Sequence, residues 1–265
     1  MNSNDNTNAS VTVTEAGENG RSKIIKLIVG FVIAALVSVI LVLAVKCSTE
    51  TTIKIEDPVI EQLVCAKLNH DIGYITTAEA ETVTELDLSG VGIEDFSELA
   101  KLPNLRSLDL SGNGYTHIVL PQGLKLESLD ISGNRIKDLS FLSSLSDLKS
   151  LNAENNLIKD LSPLSSLYSL TALQLDGNLI RDLSPVASLL KLEQLSLSDN
   201  KLMDISALSQ LTALKSLDLS NNQISDITPV NTLTALENLN ISRNPYADLS
   251  PVAQLPVVLS GNVTE

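Results

Sequence analysis

Leu173-Gln174-Leu175-Asp176-Gly177-Asn178-Leu179-Ile180-Arg181-Asp182-Leu183-Ser184-Pro185-Val186-Ala187-Ser188-Leu189-Leu190-Lys191-Leu192-Glu193-Gln194 is one copy of a pattern that recurs eight times between Leu86 and Asn244. Its first leucine falls at Leu86, Leu108, Leu129, Leu151, Leu173, Leu195, Leu217 and Leu239. The step is 22 residues throughout, except for one of 21 between Leu108 and Leu129. A constant period of this length marks a solenoid of stacked units. Such an architecture offers an extended surface and seldom a closed catalytic cleft, so the expected function is binding.

One unit cannot fold alone. Leu173 and Leu175 stand two apart and point inward from a short strand, whereas Gln174 between them faces out. Together with Ile180, Leu183, Val186, Leu189 and Leu192 they make seven apolar positions per turn. Burying seven such side chains returns less than the entropy spent on ordering 22 residues, so neighbouring turns must supply the missing contacts. A further strand is read at Val257-Val258-Leu259-Ser260-Gly261-Asn262, beginning 18 residues after Leu239. The nine strands, at a spacing of about 4.8 Å, make a parallel ladder on the order of 40 Å long.

Asn113, Asn134, Asn156, Asn178, Asn200, Asn222 and Asn244 recur at one place among inward-facing leucines. A polar amide there requires partners, and bonding to the loop backbone of its own and the next turn would supply them. They are read as a structural ladder rather than as ligand contacts. Val91 holds that place in the first repeat, where no earlier turn needs bridging. The return path carries Asp-Leu-Ser-Pro at Asp160–Pro163, Asp182–Pro185 and Asp248–Pro251, with Asp226-Ile227-Thr228-Pro229 equivalent. Ser or Thr as N-cap followed by Pro starts a short turn of helix. The aspartates come one per turn and form no Asp-x-Asp-x-Asp-Gly loop, so capping and solvation are expected of them and calcium binding is not.

These positions, in register over eight units, resemble the 22-residue bacterial leucine-rich repeats of the internalin family, from about Asp57 to the C-terminus. Asp57-Pro58-Val59-Ile60-Glu61-Gln62-Leu63-Val64-Cys65-Ala66-Lys67-Leu68 looks like the helical N-terminal cap of such surface proteins, running through Gly73–Thr76 into the first strand. Val59, Leu63, Val64 and Leu68 are read as the apolar stripe that closes the solenoid's end. The resemblance implies an α/β leucine-rich-repeat solenoid with the parallel β-sheet on its concave face, and a protein partner on that face. The central outward positions are Asp87, Asp109, Asp130, Asn152, Gln174, Ser196, Asp218 and Asn240, which are the expected partner-binding residues. None is aromatic, a departure from a family whose concave face often grips its partner through aromatic side chains.

Ahead of the repeats, residues 1–22 are polar and lack an apolar period, which reads as a disordered tail. Residues 23–46 are expected to form a transmembrane helix, because Leu27 to Val45 is an uncharged apolar run of 19 residues. Lys46 follows Ala44 where a cleavage site would need a small residue, so an uncleaved anchor is favoured over a signal peptide. Arg21, Lys23 and Lys26 before the run, against Lys46 and Lys54 after it, favour a cytoplasmic N-terminus and an extracytoplasmic repeat domain. Gly30, Ala34 and Ser38 fall four apart, a small-residue pattern that admits a homodimer beside the blander reading of ordinary membrane-helix composition. The remaining divisions are a stalk over 47–56, the helical cap over 57–82, and the solenoid over 83–265 with eight repeats and a short ninth strand.

Residues 1–46 hold four basic and three acidic groups out of 18 and 32, leaving 14 against 29 and a net charge of −15 for the rest. That acidity argues against a nucleic-acid partner. Cys65 is placed in the cap core, and Cys47 stands where it would pair with Cys65 or with a second chain, free thiols being the alternative. His70 and His117 stand apart with no second Cys or His at ligand spacing, and no nucleophile or phosphate-loop motif occurs, so neither an enzyme nor a cofactor is expected. The one irregular unit is the second, where Gly114-Tyr115-Thr116-His117-Ile118-Val119-Leu120-Pro121-Gln122-Gly123 replaces the usual return path. Tyr115 and His117 there are either a local recognition patch or a packing substitute for the usual isoleucine. The reading as a whole is a single-pass protein-binding module on a bacterial cell surface. A passive envelope scaffold and a cytosol-facing regulator of an enzyme are the alternatives.

Overall fold

The structure, a computed structural model, describes residues 51–260. Among these, no helix is long and apolar enough to cross a membrane. The apolar run of residues 23–46, the tail before it, Cys47 and the Gly30/Ala34/Ser38 pattern lie outside the described residues.

The first element among the described residues lies inside the segment expected to be a stalk. Strand β1 (Thr52–Ile53) pairs antiparallel with β2 (Ile75–Thr76), Ile53 opposite Ile75. Ile55 is buried, the Glu56 amide donates to Glu98 Oε2 at 2.8 Å, and Lys101 Nζ donates to the Lys54 carbonyl at 2.7 Å. Alternating apolar residues (Ile53, Ile55) next to an exposed cap edge explain why this polar-looking stretch joins the folded unit, and residues 52–56 are therefore cap, not stalk.

Helix α1 (Pro58–Leu68) starts where Asp57 accepts the amides of Val59 and Ile60, with Pro58 in the first turn. It stops at Asn69, which takes the left-handed conformation with φ 51°. Its fully buried residues are Ile60, Val64 and Cys65, whereas Val59, Leu63 and Leu68 are only partly covered. Of the expected stripe Val64 is fully buried, and the face is centred on the Ile60/Val64 pair four residues apart rather than on Val59 and Leu63. A second short helix, α2 (Thr77–Thr82), opens on a capping box between Thr76 and Glu79.

From there the chain winds through nine parallel strands: β3 (Glu85–Asp87), β4 (Ser107–Asp109), β5 (Ser128–Asp130), β6 (Ser150–Asn152), β7 (Ala172–Gln174), β8 (Gln194–Ser196), β9 (Ser216–Asp218), β10 (Asn238–Asn240) and β11 (Val258–Ser260). Each strand pairs with the next in sequence, and the leucines align one above another from Leu86 to Leu239 and then Leu259. The ninth strand therefore forms in the expected place, although the register step from Leu239 to Leu259 is 20 residues rather than 22. The return paths contain short 3-10 turns such as Ser140–Ser144, Ser184–Ser188 and Thr228–Thr232. The inward residues of every turn merge into one continuous apolar core that includes Ile60 and Val64 of the cap. A single core explains why the cap and the repeats form one folded unit.

The turn chemistry differs from expectation in one respect. Ser and Thr were read as the N-caps, but it is the aspartate two residues earlier that accepts. Asp160 Oδ1 takes the Ser162 amide at 2.8 Å and its Oδ2 takes the Ser162 hydroxyl at 2.8 Å, and Asp182, Asp204, Asp226 and Asp248 repeat the amide bond. A carboxylate is the stronger acceptor, so the hydroxyl becomes its donor.

Candidate protein-binding surface

Each strand from β3 to β10 buries its central leucine and turns its flanking residues outward, whereas Leu259 of the terminal strand β11 is exposed. The outer face therefore carries one row through Asp87, Asp109, Asp130, Asn152, Gln174, Ser196, Asp218 and Asn240, successive members being register partners on adjacent strands. Asp87, Asp109 and Asp130 place three carboxylates side by side. They are not idle there. Asp87, Asp109, Asp130 and Asp218 each accept, through Oδ1, the amide of the serine two residues on, at 2.8–2.9 Å. These bonds end the strand and turn the chain. Hydrogen bonds from Ser89 also hold the Asp87 carboxyl below its ordinary value.

The amides in the row relieve the carboxylates beside them. Asn152 Nδ2 donates to Asp130 Oδ2 at 2.9 Å, and Asn240 Nδ2 does the same to Asp218 Oδ2 at 2.9 Å. Where the row changes to Ser196, a carboxylate from the turn before takes over the capping. Asp176 accepts the Ser196 hydroxyl at 2.7 Å and the Ser198 amide at 2.6 Å. Glu154 stands against Asp176 and Asp130. Burial, then the negative charges of Asp176 and Asp130 and a hydrogen bond with Asp176, push its carboxyl up. Glu154 and Asp176 are not among the expected contacts, which take only the residue between the two strand leucines. The residue after the second leucine faces the same way by the same period of two.

Asn134, Asn156, Asn178, Asn200 and Asn222 are buried. Asn156 Nδ2 donates to the carbonyls of Ile131, Ala153 and Glu154, and its Oδ1 accepts the Ile136 amide at 2.9 Å. Asn178, Asn200 and Asn222 repeat this arrangement one turn apart. Asn113 reaches back to Leu88 O and Gly92 N of the first repeat, and Asn244 closes the series on Leu219 O and Ile224 N. Their amides are spent inside the solenoid, holding the loops that leave the strands.

The irregular second repeat brings Tyr115 and His117 to one hollow of about 470 Å³, lined also by Gly92, Glu94, Phe96, Asn113, Gly114, Thr116 and Val119. The Tyr115 ring meets Phe96 edge-on, with centroids 5.7 Å apart, in the place other repeats give to isoleucine. Its hydroxyl is buried without a hydrogen-bond partner, and burial pushes the phenol up, partly offset by the nearby Ile93 backbone. The tyrosine therefore presents no polar group at the rim. His117 and Val119 are exposed in the hollow, as are Glu94 and Thr116.

Comparison with known proteins agrees with this geometry. The family model described as Leucine Rich repeats (2 copies) matches residues 81–117, 125–166 and 212–254, and the one described as Leucine rich repeat matches 169–224. Internalin C2 from Listeria monocytogenes strain 4b F2365 is 30% identical, and the match covers 77% of this chain and 93% of that one with a TM-score of 0.71. The chain belongs to the internalin-like leucine-rich-repeat proteins. A second internalin of the same strain, internalin F, is 30% identical over 78% of this chain and 71% of its own, with a TM-score of 0.67. Among curated sequences, Acidic leucine-rich nuclear phosphoprotein 32 family member A of Drosophila melanogaster is 39% identical over 75 residues. That match takes in 28% of this chain and 29% of the phosphoprotein, so the chain spans under a third of the curated relatives' length. Leucine-rich-repeat domains of this type generally bind proteins. This internalin-like domain differs from an aromatic-rich binding face in offering a row of carboxylates, amides and a hydroxyl.

Proposed function

We propose that this is a membrane-anchored internalin-like module, exposed on a bacterial cell surface, that binds a protein through the outer face of its parallel sheet. The observation that carries the reading is the uninterrupted polar row from Asp87 to Asn240, held in register by the ladder. A rigid, pre-paired surface loses little entropy on binding. Three adjacent carboxylates at one end favour a partner with a basic patch. The apolar run from Leu27 to Val45 supports anchoring, and the surplus of Arg21, Lys23 and Lys26 supports an outward-facing repeat domain. Homodimerisation through Gly30, Ala34 and Ser38 is a further part of this reading.

The binding test uses Asp109→Asn and Asp130→Asn together, because asparagine retains the oxygen that caps Ser111 and Ser132 while removing the charge. The double variant gives up the Asn152 bond to Asp130 and should melt slightly lower than the parent while keeping the fold. It is expected not to capture the partner that the parent cross-links on intact cells. Retention of that partner would overturn the role of this face. Placement is tested separately with a protease site inserted after Ser48 and a C-terminal tag, a cytosolic protein serving as leakage control. Release of the tagged domain from intact cells is expected. Cleavage only after lysis would put the domain in the cytosol.

A further inference from the structure

The loop edge of the solenoid, where the chain leaves the strands, has a chemistry of its own. Arg135, Leu157, Leu179, Lys201 and Gln223 occupy the same place in successive turns. Each donates its amide to the turn before, at Tyr115 O, Ile136 O, Ile158 O, Ile180 O and Leu202 O, over 2.8–3.0 Å. This second backbone ladder sets their side chains in a row at the repeat spacing. Two residues further on in three of these turns come Lys137, Lys159 and Arg181, all exposed. Leu157 and Leu179 thus form a small apolar centre framed by five cations, and Lys159, Leu179, Arg181, Asp182 and Lys201 line a hollow of about 370 Å³.

In a chain of net charge −14 such a grouping stands out. The five ion pairs of the described residues use Lys54, Lys67, Lys101, Lys149 and Lys215, and none of the five edge cations. Aspartates do neighbour the edge, but the carboxylates of Asp138, Asp160, Asp182 and Asp204 are turned back onto the amides of their own 3-10 turns at 2.8 Å. The cations are left to solvent.

We propose that this edge is a second binding surface, separate from the sheet face, that takes a short acidic peptide segment carrying one or two apolar side chains. Carboxylates would meet Lys159, Arg181 and Lys201, and an apolar side chain would cover Leu179 beside Leu157. Arginine offers a bidentate fork to a carboxylate, which lysine cannot. A sulfated polysaccharide would satisfy the cations but gain nothing from the leucines. A long polyanion would also run into the surrounding negative field, whereas screening over roughly 8 Å lets a short segment reach the cations.

The test is to pan a display library of random twelve-residue peptides on the full chain and then measure the binding of the enriched sequences. Enriched peptides are expected to carry Asp or Glu flanking Leu, Ile, Val or Phe. Their affinity should fall about tenfold in Lys159→Glu/Arg181→Glu and be unchanged in Asp109→Asn/Asp130→Asn. Leu179→Ser should weaken them without altering the salt dependence of binding. Thermal melting checks that each variant is folded, and Lys159→Gln/Arg181→Gln repeats the measurement without added negative charge. Failure to enrich, enrichment of neutral or basic peptides, or affinity indifferent to the changes at Lys159 and Arg181 would overturn the proposal. A heparin fragment that binds with the same sensitivity and displaces the peptides would replace it with a polyanion site.

Discussion

Asn156 Oδ1 accepts the amide of Ile136, a residue 20 positions earlier in the chain and one turn away in space, at 2.9 Å. The same side chain spends its Nδ2 on three carbonyls, two in its own turn and one in the turn before. Asn156→Ala therefore strands several buried backbone groups at once. At about 1–3 kcal/mol for each group left unsatisfied, a loss of roughly 3–5 kcal/mol is expected in denaturant unfolding. Asn113→Ala, at the less buried start of the series, should cost less than half of that.

The aspartate caps of the return path make a conservative contrast available. Asp160→Ala removes both bonds to Ser162 and should cost about 1 kcal/mol, whereas Asp160→Asn keeps an acceptor oxygen and should recover most of it. Equal losses from the two variants in chemical melts would point to charge rather than capping.

Acid should act on two sets of carboxylates in opposite senses. Bonds from Ser162 and Ser206 hold Asp160 and Asp204 below their ordinary value of 3.8, and bonds from Thr228 and Ser250 do the same for Asp226 and Asp248. Their contribution is fully present above that value and is lost as pH falls through the lowered folded-state pKa. Glu154 is raised above 4.5, so its ionisation opposes folding at neutral pH and stops doing so as pH falls below 4.5. Glu154→Gln is thus expected to raise the melting temperature at pH 7 and to leave it near the parent's at pH 3.5. A gain that persisted in acid would show that charge is not the cause.

Arg243 takes φ 56°, the left-handed conformation that Gly112, Gly133 and Gly177 supply at the same place in other turns. An arginine β-carbon is strained there, and its side chain is exposed. Arg243→Gly should stabilise the domain by about 1 kcal/mol, read as a higher denaturant midpoint with an unchanged slope. The reverse change at Gly177 should destabilise it, since an added β-carbon would meet Asn155 Oδ1 at 2.5 Å as well as the positive φ of 65°.

Several features were legible because they repeat. The leucine register and the outward row follow from a period of 22 combined with a period of two, and the ninth strand from its alternating apolar residues despite a shorter step. Other features occur once, or depend on contacts across turns, and these escaped. Residues 52–56 look like a polar linker until Ile53 is placed opposite Ile75 and Ile55 is covered. The cap helix buries Ile60, Val64 and Cys65 more fully than Val59 and Leu63, because packing against the rest of the cap and the first strand, not apolar character alone, decides which face is covered. Asp176 gave no local sign that it would cap the turn after its own, since its partners Ser196 and Ser198 lie 20 and 22 residues on.

The sequence by itself determined that this chain builds a stacked solenoid, because each turn must bury its leucines and asparagine against a neighbour of the same design. It also determined which residues line the sheet's outer face, since alternation along a strand leaves no choice. Tertiary structure alone decided how those residues are used. It turned the Asp87, Asp109 and Asp130 carboxylates onto the amides two residues on to close their own strands, buried the Tyr115 hydroxyl, and gathered Arg135, Lys137, Lys159, Arg181 and Lys201 along one edge. The physical reason is that hydrogen bonding and charge act through space. Stacking brings residues about 22 apart in the chain to within about 5 Å of each other.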